Sequence, residues 1–132
     1  MRIGIHLPQF GRALVAGGVE RAAREAEQLG FDDVWVSDHL VNPKEQPYPA
    51  AYILDPLTTL AFAAAATERI GIGTSVLVGP QYPSPLAVAN SLASLDFMSG
   101  GRLTLGIGIG WSKREFDALG AHSTTGGCVS TR

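Results

Sequence analysis

The chain has 132 residues, 45% of them hydrophobic and 17% charged, which suits one domain with a real core and excludes a disordered polymer. Its formal net charge of −2, without a cluster of Lys and Arg, excludes a nucleic-acid footprint, and no apolar run approaches membrane-spanning length. The opening residues, interrupted by His6 and Pro8, do not read as a signal peptide, and the lone Cys128 fits a reducing, cytoplasmic setting.

Along the chain the apolar period switches repeatedly between two and about 3.6 residues, the pattern of alternating strands and helices. The first strand is expected over Arg2 to Pro8, with Ile3, Ile5 and Leu7 on one face and Gly4 and His6 on the other. A helix follows from about Val19 to Leu29, with an apolar stripe of Val19, Ala22, Ala26 and Leu29 ahead of a terminating Gly30. Asp33 to Ser37 is the second strand, in which Trp35 reads as core filler between Val34 and Val36. Beyond a proline-rich loop at 43–49, Asp55 and Pro56 open a helix to about Glu68. The carboxylate there accepts from free amides, and proline takes a first-turn position that needs no N–H.

Ile70 to Val78 is the third strand, setting Ile70, Ile72, Thr74 and Val76 against Gly71, Gly73, Ser75 and Leu77. Ser84 and Pro85 repeat the capping logic for a third helix that ends at Gly100 or Gly101. The fourth strand, Leu103 to Trp111, has Leu103, Leu105, Ile107 and Ile109 on one face and Thr104, Gly106, Gly108 and Gly110 on the other. Glycine inside a strand marks close approach of a ligand or another backbone, so this bare face offers room for something flat. Ser112 with Glu115 reads as a capping box opening a short helix to Gly120. Residues 1–120 are thus expected to form four strand–helix units, and 121–132 read as an irregular tail.

That order predicts parallel strands joined by right-handed crossovers. An open doubly wound sheet and a closed eight-stranded barrel both satisfy it. Strands of an open sheet are covered on both faces and tend to be apolar throughout. Here one face carries Gly4, His6, Gly71, Gly73, Ser75, Gly106 and Gly108, which favours a barrel with helices outside. The expected fold is α/β, a partial TIM (β/α)8 barrel of about four units. Its first and last strands would be open edges, which predicts a homodimer or a partner chain that completes the barrel.

Barrel chemistry sits at the carboxyl ends of the strands. There Asp38 and His39 form the best acid–base pair, because imidazole titrates near neutral pH unaided. The competing reading is that Asp38 caps a turn and His39 is merely polar. His6, His39 and His122 lack local ligand spacing, so no metal is expected. Gly106-x-Gly108-x-Gly110 runs into Trp111 where a dinucleotide fingerprint needs glycine, and it comes in the fourth strand, not the first. Trp111 can stack on a ring or pack against the short helix.

Several segments together resemble the luciferase-like flavin and deazaflavin oxidoreductase superfamily. They are Ile3-Gly4-Ile5 through Pro8, Gly30 through Trp35 to Ser37-Asp38-His39, Ile70 through Ser75-Val76, Ser94-Leu95-Asp96, Gly100-Gly101-Arg102-Leu103, and Gly106-x-Gly108-x-Gly110-Trp111 with Glu115-Phe116. The resemblance covers about residues 1–120. It implies a TIM-type barrel that binds FMN or coenzyme F-420 and performs hydride transfer or monooxygenation on a small-molecule substrate. It further implies that His39 is the acid–base residue, that Asp38 borders the coenzyme, and that a Ser75-Val76 bulge with a non-proline cis peptide supports the ring. Gly108 and Gly110 would complete the ring wall. The F-420-dependent branch is the nearer likeness, followed by alkanesulfonate-type FMN monooxygenases. Family members are longer and grip the cofactor phosphate with loops after strands seven and eight, so the likeness is to an N-terminal half and implies a truncated chain. A non-catalytic half-barrel that only self-associates or pairs with a partner is the rival expectation.

Overall fold

The computed structural model describes residues 1–40 and 53–120; the proline-rich loop and the tail expected from the sequence lie outside them. Strands β1 (Gly4–His6), β2 (Asp33–Val36), β3 (Gly71–Val78) and β4 (Leu103–Gly108) form one parallel sheet in that order. Helices α1 (Gly18–Gln28), α2 (Pro56–Ala66) and α3 (Pro85–Ser99) link successive strands, and α4 (Lys113–Ala118) follows β4. Each strand pairs with the next in sequence, without the reversal of order that marks a doubly wound sheet. The architecture is therefore an arc of a (β/α)8 barrel. Among the described residues, no helix is long and apolar enough to cross a membrane.

The capping chemistry works as the sequence predicts. Asp55 accepts from the Thr58 N–H at 2.7 Å with Pro56 in the first turn, and Ser84 accepts from the Ala87 N–H at 3.3 Å. The core lies between sheet and helices. Val34 and Val36 of β2 and Ile72 of β3 pack with Ala23 and Ala26 of α1 and Leu60 and Ala63 of α2. On α1 the buried stripe is Val19, Ala23 and Ala26, whereas Leu29 is 77% exposed because it sits at the cap, past the last helical turn.

Two polar clusters tie the amino-terminal ends of the strands to the helices. The Arg102 guanidinium donates to the carbonyls of Ala64, Thr67, Ile70 and Ser99 and to the Thr67 hydroxyl, at 2.6 to 3.2 Å. It satisfies carbonyls that α2 leaves open at its carboxyl end. The Glu27 carboxylate accepts from the N–H groups of Glu68, Arg69 and Ile70 at 3.0, 2.6 and 2.9 Å. Burial opposes its charge, but these three amides prevail and hold the carboxyl below its ordinary value.

β3 breaks the expected alternation. Its register against β4 shifts between Thr74 and Leu77, and the Ser75–Val76 peptide is cis. The extra residue leaves both Ser75 and Val76 exposed and returns Leu77 to the buried side, the reverse of strict alternation. Thr74 Oγ1 bridges the bulge, donating to the Gly106 carbonyl at 2.8 Å and accepting from its N–H at 3.1 Å.

The glycine face turns away from the helices, as expected, but much of it is filled by the chain itself. A Cβ at Gly4 or Gly73 would strike the Trp35 ring, which lies half-buried across this face and is not core filler. A Cβ at Gly108 would come within 2.7 Å of Val76 Cγ2, and one at Gly106 would strike the Thr74 carbonyl oxygen.

Candidate active site

The carboxyl ends of β2, β3 and β4 converge on a cavity of about 230 Å³. It is bounded by Ser37, Asp38 and His39 after β2, Ser75, Val76 and Val78 of β3, and Gly110, Trp111 and Glu115 after β4. Five of the six candidate residues, Asp38, His39, Ser75, Val76 and Gly110, thus line one site. Gly108 does not: it borders an apolar groove of about 690 Å³ on the helix side, with Leu77, Val88, Leu92, Ile107 and Ile109. Val76 takes the space on its other side.

Gln9, fully buried, anchors the first wall. Its Oε1 accepts from the Ser37 N–H at 2.6 Å, while Nε2 donates to the carbonyls of Ser37 and Leu54 at 2.7 and 2.9 Å. One amide side chain therefore ties the end of β1 to the Ser37-Asp38-His39 turn and to the approach to α2. Its only signal in the sequence is a lone polar residue directly after a strand end.

Asp38 is 2% exposed. Its Oδ2 accepts from the Val78 N–H at 2.8 Å, but the buried Oδ1 has no hydrogen-bond partner among the described residues. Burial pushes this carboxyl above the ordinary range, against the opposing pull of the Val78 amide and the Tyr82 phenol. The same burial, reinforced by the Asp38 charge, pushes the Tyr82 hydroxyl up. A buried carboxylate oxygen without a partner is the exception in folded proteins and calls for a donor.

His39 has a partner that sequence reasoning assigned elsewhere. Its Nδ1 lies 3.2 and 3.1 Å from Oε1 and Oε2 of Glu115, and the Leu40 N–H donates to Oε1 at 2.7 Å. Glu115 is 3% exposed. The expected capping box is absent, since Ser112 makes no side-chain cap bond and the glutamate turns inward to the histidine. The Trp111 ring meets the imidazole edge-on, with centroids 5.9 Å apart and planes at 74°. Trp111 is 70% exposed, so it borders the opening and is not packed into a core. His6 stands on the neighbouring strand, its Nε2 3.5 Å from Ser37 Oγ. Among the described residues no group of His, Cys, Asp and Glu is arranged to hold a metal ion.

An imidazole braced at one nitrogen by a carboxylate and bordering a cavity at a barrel's catalytic end is equipped to give or take a proton. The cavity itself is smaller than the roughly 300–1,000 Å³ of a site that encloses a sizeable ligand.

The family profile for luciferase-like monooxygenases matches residues 1–126. An F-420-dependent glucose-6-phosphate dehydrogenase from Beutenbergia cavernae is 45% identical over 97 residues, which cover 68% of this chain and 26% of that enzyme. Among solved structures, the coenzyme F-420-dependent tetrahydromethanopterin reductase from Methanopyrus kandleri superposes with a TM-score of 0.67 at 30% identity, covering 90% of this chain and 30% of that one. The oxygenating constituent of 3,6-diketocamphane monooxygenase from Pseudomonas putida, solved in complex with FMN, shares the fold with a TM-score of 0.76 at 23% identity, covering 93% and 33%. The chain therefore spans about a quarter to a third of the length of these proteins, less than the half expected from its four units.

Proposed function

The chain belongs to the luciferase-like monooxygenase family, and from that premise we propose that its site serves a flavin-type cofactor, F-420 or FMN, in the oxidation or reduction of a small-molecule substrate. The observation that carries this reading is the buried Asp38 carboxylate, whose Oδ1 lacks a hydrogen-bond partner among the described residues, beside a cavity that a braced imidazole also lines. The residues present fit a planar ring. Ser75 and Val76 stand exposed beside the cavity, Gly110 adopts φ +77 at its rim, and Asp38 offers an acceptor for a ring N–H. Those four would hold the ring, with Gly108 behind Val76 as its support.

When bound, the cofactor supplies the hydride or the activated oxygen. His39 gives or takes the substrate proton, Asp38 orients the ring through its open oxygen, and Trp111 flanks the approach and limits water beside the imidazole. Further β/α units close the barrel and grip the cofactor's phosphate, whether they come from the same polypeptide or another. F-420 is the favoured cofactor, given the F-420-dependent relative at 45% identity, and the lone Cys128 makes a reducing, cytoplasmic setting the favoured one.

One observation favours a second reading, a non-catalytic arc that associates with another chain. Leu105 and Ile107 on β4 and Ile109 just beyond it are 44%, 65% and 64% exposed, and the two isoleucines line the apolar groove. Titration with F-420 and with FMN separates the two. A saturable change in cofactor fluorescence supports the first reading. No change, together with concentration-dependent self-association, supports the second. In an active assembly His39→Ala should abolish turnover and leave cofactor binding largely intact; retained turnover would remove the role assigned to His39.

A further inference from the structure

The geometry points to Glu115 as a positioning residue that fixes which nitrogen of His39 carries the proton. The inference rests on the reading of His39 as the group that exchanges a proton at this site, and it adds the atom through which the exchange occurs. An ionised carboxylate accepts hydrogen bonds and donates none. Both Glu115 oxygens lie within 3.2 Å of Nδ1, so Nδ1 bears the hydrogen.

The carboxylate is itself fixed. It is 3% exposed and takes a second hydrogen bond at 2.7 Å from the Leu40 N–H, the amide directly after His39. One oxygen thus contacts both the ring and the backbone of the segment that carries the ring. Trp111, edge-on at 5.9 Å, stands against another side of the imidazole and restricts its rotation.

With Nδ1 committed, Nε2 is the nitrogen left for a ligand, and no described residue hydrogen-bonds to it. A neutral His39 presents a lone pair there, and a protonated one presents an N–H, while Glu115 stays bound to Nδ1 in both states. Substrate protons therefore pass through Nε2 alone. Free histidine favours the opposite neutral tautomer, with hydrogen on Nε2, so the arrangement has a spectroscopic signature distinct from a purely structural contact.

The test is a long-range ¹H–¹⁵N correlation spectrum of the ¹⁵N-labelled protein, with His39 assigned by its loss in His39→Ala. In the neutral ring, Nδ1 should resonate as pyrrole-like and Nε2 as pyridine-like. Glu115→Ala, shown to be folded by circular dichroism, should exchange the two assignments. The isosteric Glu115→Gln, whose carbonyl can still accept, should give a mixture and serves if the alanine variant does not fold. A hydrogen on Nε2 in the unmodified protein overturns the inference, as does an unchanged Nδ1–H in every folded variant. Cofactor titration separates this outcome from the functional reading. Absent cofactor binding with the Nδ1–H tautomer present defeats that reading and leaves Glu115 as the residue that fixes the proton. Cofactor binding with hydrogen on Nε2 defeats the inference alone.

Discussion

Gly106 and Gly108 look equivalent in the sequence, yet the structure gives them different neighbours and different tolerances. A methyl at Gly106 would be driven into the Thr74 carbonyl oxygen, a backbone atom at the bulge, and would lie 3.4 Å from Val76 Cγ1. Overpacking of this kind costs about 1–3 kcal/mol. Any retreat of β4 also stretches the two hydrogen bonds through Thr74 Oγ1, which are worth on the order of 1 kcal/mol each. Replacing glycine restricts the unfolded chain and returns about 0.4–1 kcal/mol, so Gly106→Ala should destabilise by roughly 2–4 kcal/mol. Gly108→Ala meets only Val76 Cγ2, at 2.7 Å, on a side chain that is 41% exposed and free to turn. Its net cost should be about 1 kcal/mol. Val76→Ala should rescue Gly108→Ala and leave Gly106→Ala unrescued, a coupling of about 1 kcal/mol in one double-mutant cycle and near zero in the other. Urea unfolding at constant m measures all five variants. Equal costs, or equal rescue, would refute the assignment of the Gly108 space to Val76 and of the Gly106 space to the backbone.

Two further predictions concern the polar clusters. Arg102→Lys keeps the charge but replaces a planar fork with a point donor, so it cannot serve five acceptors on Ala64, Thr67, Ile70 and Ser99. A loss of about 2–3 kcal/mol in thermal or urea unfolding is expected, and an unchanged midpoint would show that water replaces the guanidinium without penalty. Glu27 and Asp38 should impose opposite pH dependences. The Glu27 carboxyl is held low in the fold, so its stabilisation is present above the unfolded pKa and fades as pH falls through the folded one. The Asp38 carboxyl is held high, so its favourable contribution is present below the unfolded pKa and is lost as pH rises through the folded one. At neutral pH Glu27→Gln should therefore be less stable than the unmodified protein and Asp38→Asn more stable, with both differences closing in acid. Parallel unfolding series would contradict this if either difference persisted or changed sign.

What the sequence makes legible follows from how local each feature is. The four units, the caps at Asp55 and Ser84 and the separation of apolar from glycine faces depend on residues within a few positions of one another, and each survives folding. Strict alternation fails at one place, after Thr74, because a bulge inserts a residue and no period-two pattern registers an insertion. Trp35 was legible in principle. It shares parity with Asp33 and opposes Val34 and Val36, so period two already puts it on the glycine face, where Gly4 and Gly73 leave room for an indole. Glu115 was not legible from local pattern. Its spacing from Ser112 suits a capping box, and the contact that wins lies 76 residues away in sequence. The preference has a physical basis. A capping residue is worth on the order of 1 kcal/mol at an exposed terminus, where water can substitute for it. Inside the fold the same carboxylate meets the His39 ring N–H and the Leu40 amide, two charge-assisted partners away from water, and such bonds are about twice as strong as neutral ones. Had Glu115 stayed at the helix start, the buried Leu40 bond and the brace on His39 would both be missing. The departure from the local rule therefore falls at the residue that braces the His39 ring at the candidate site, where local propensity and the site's geometry compete.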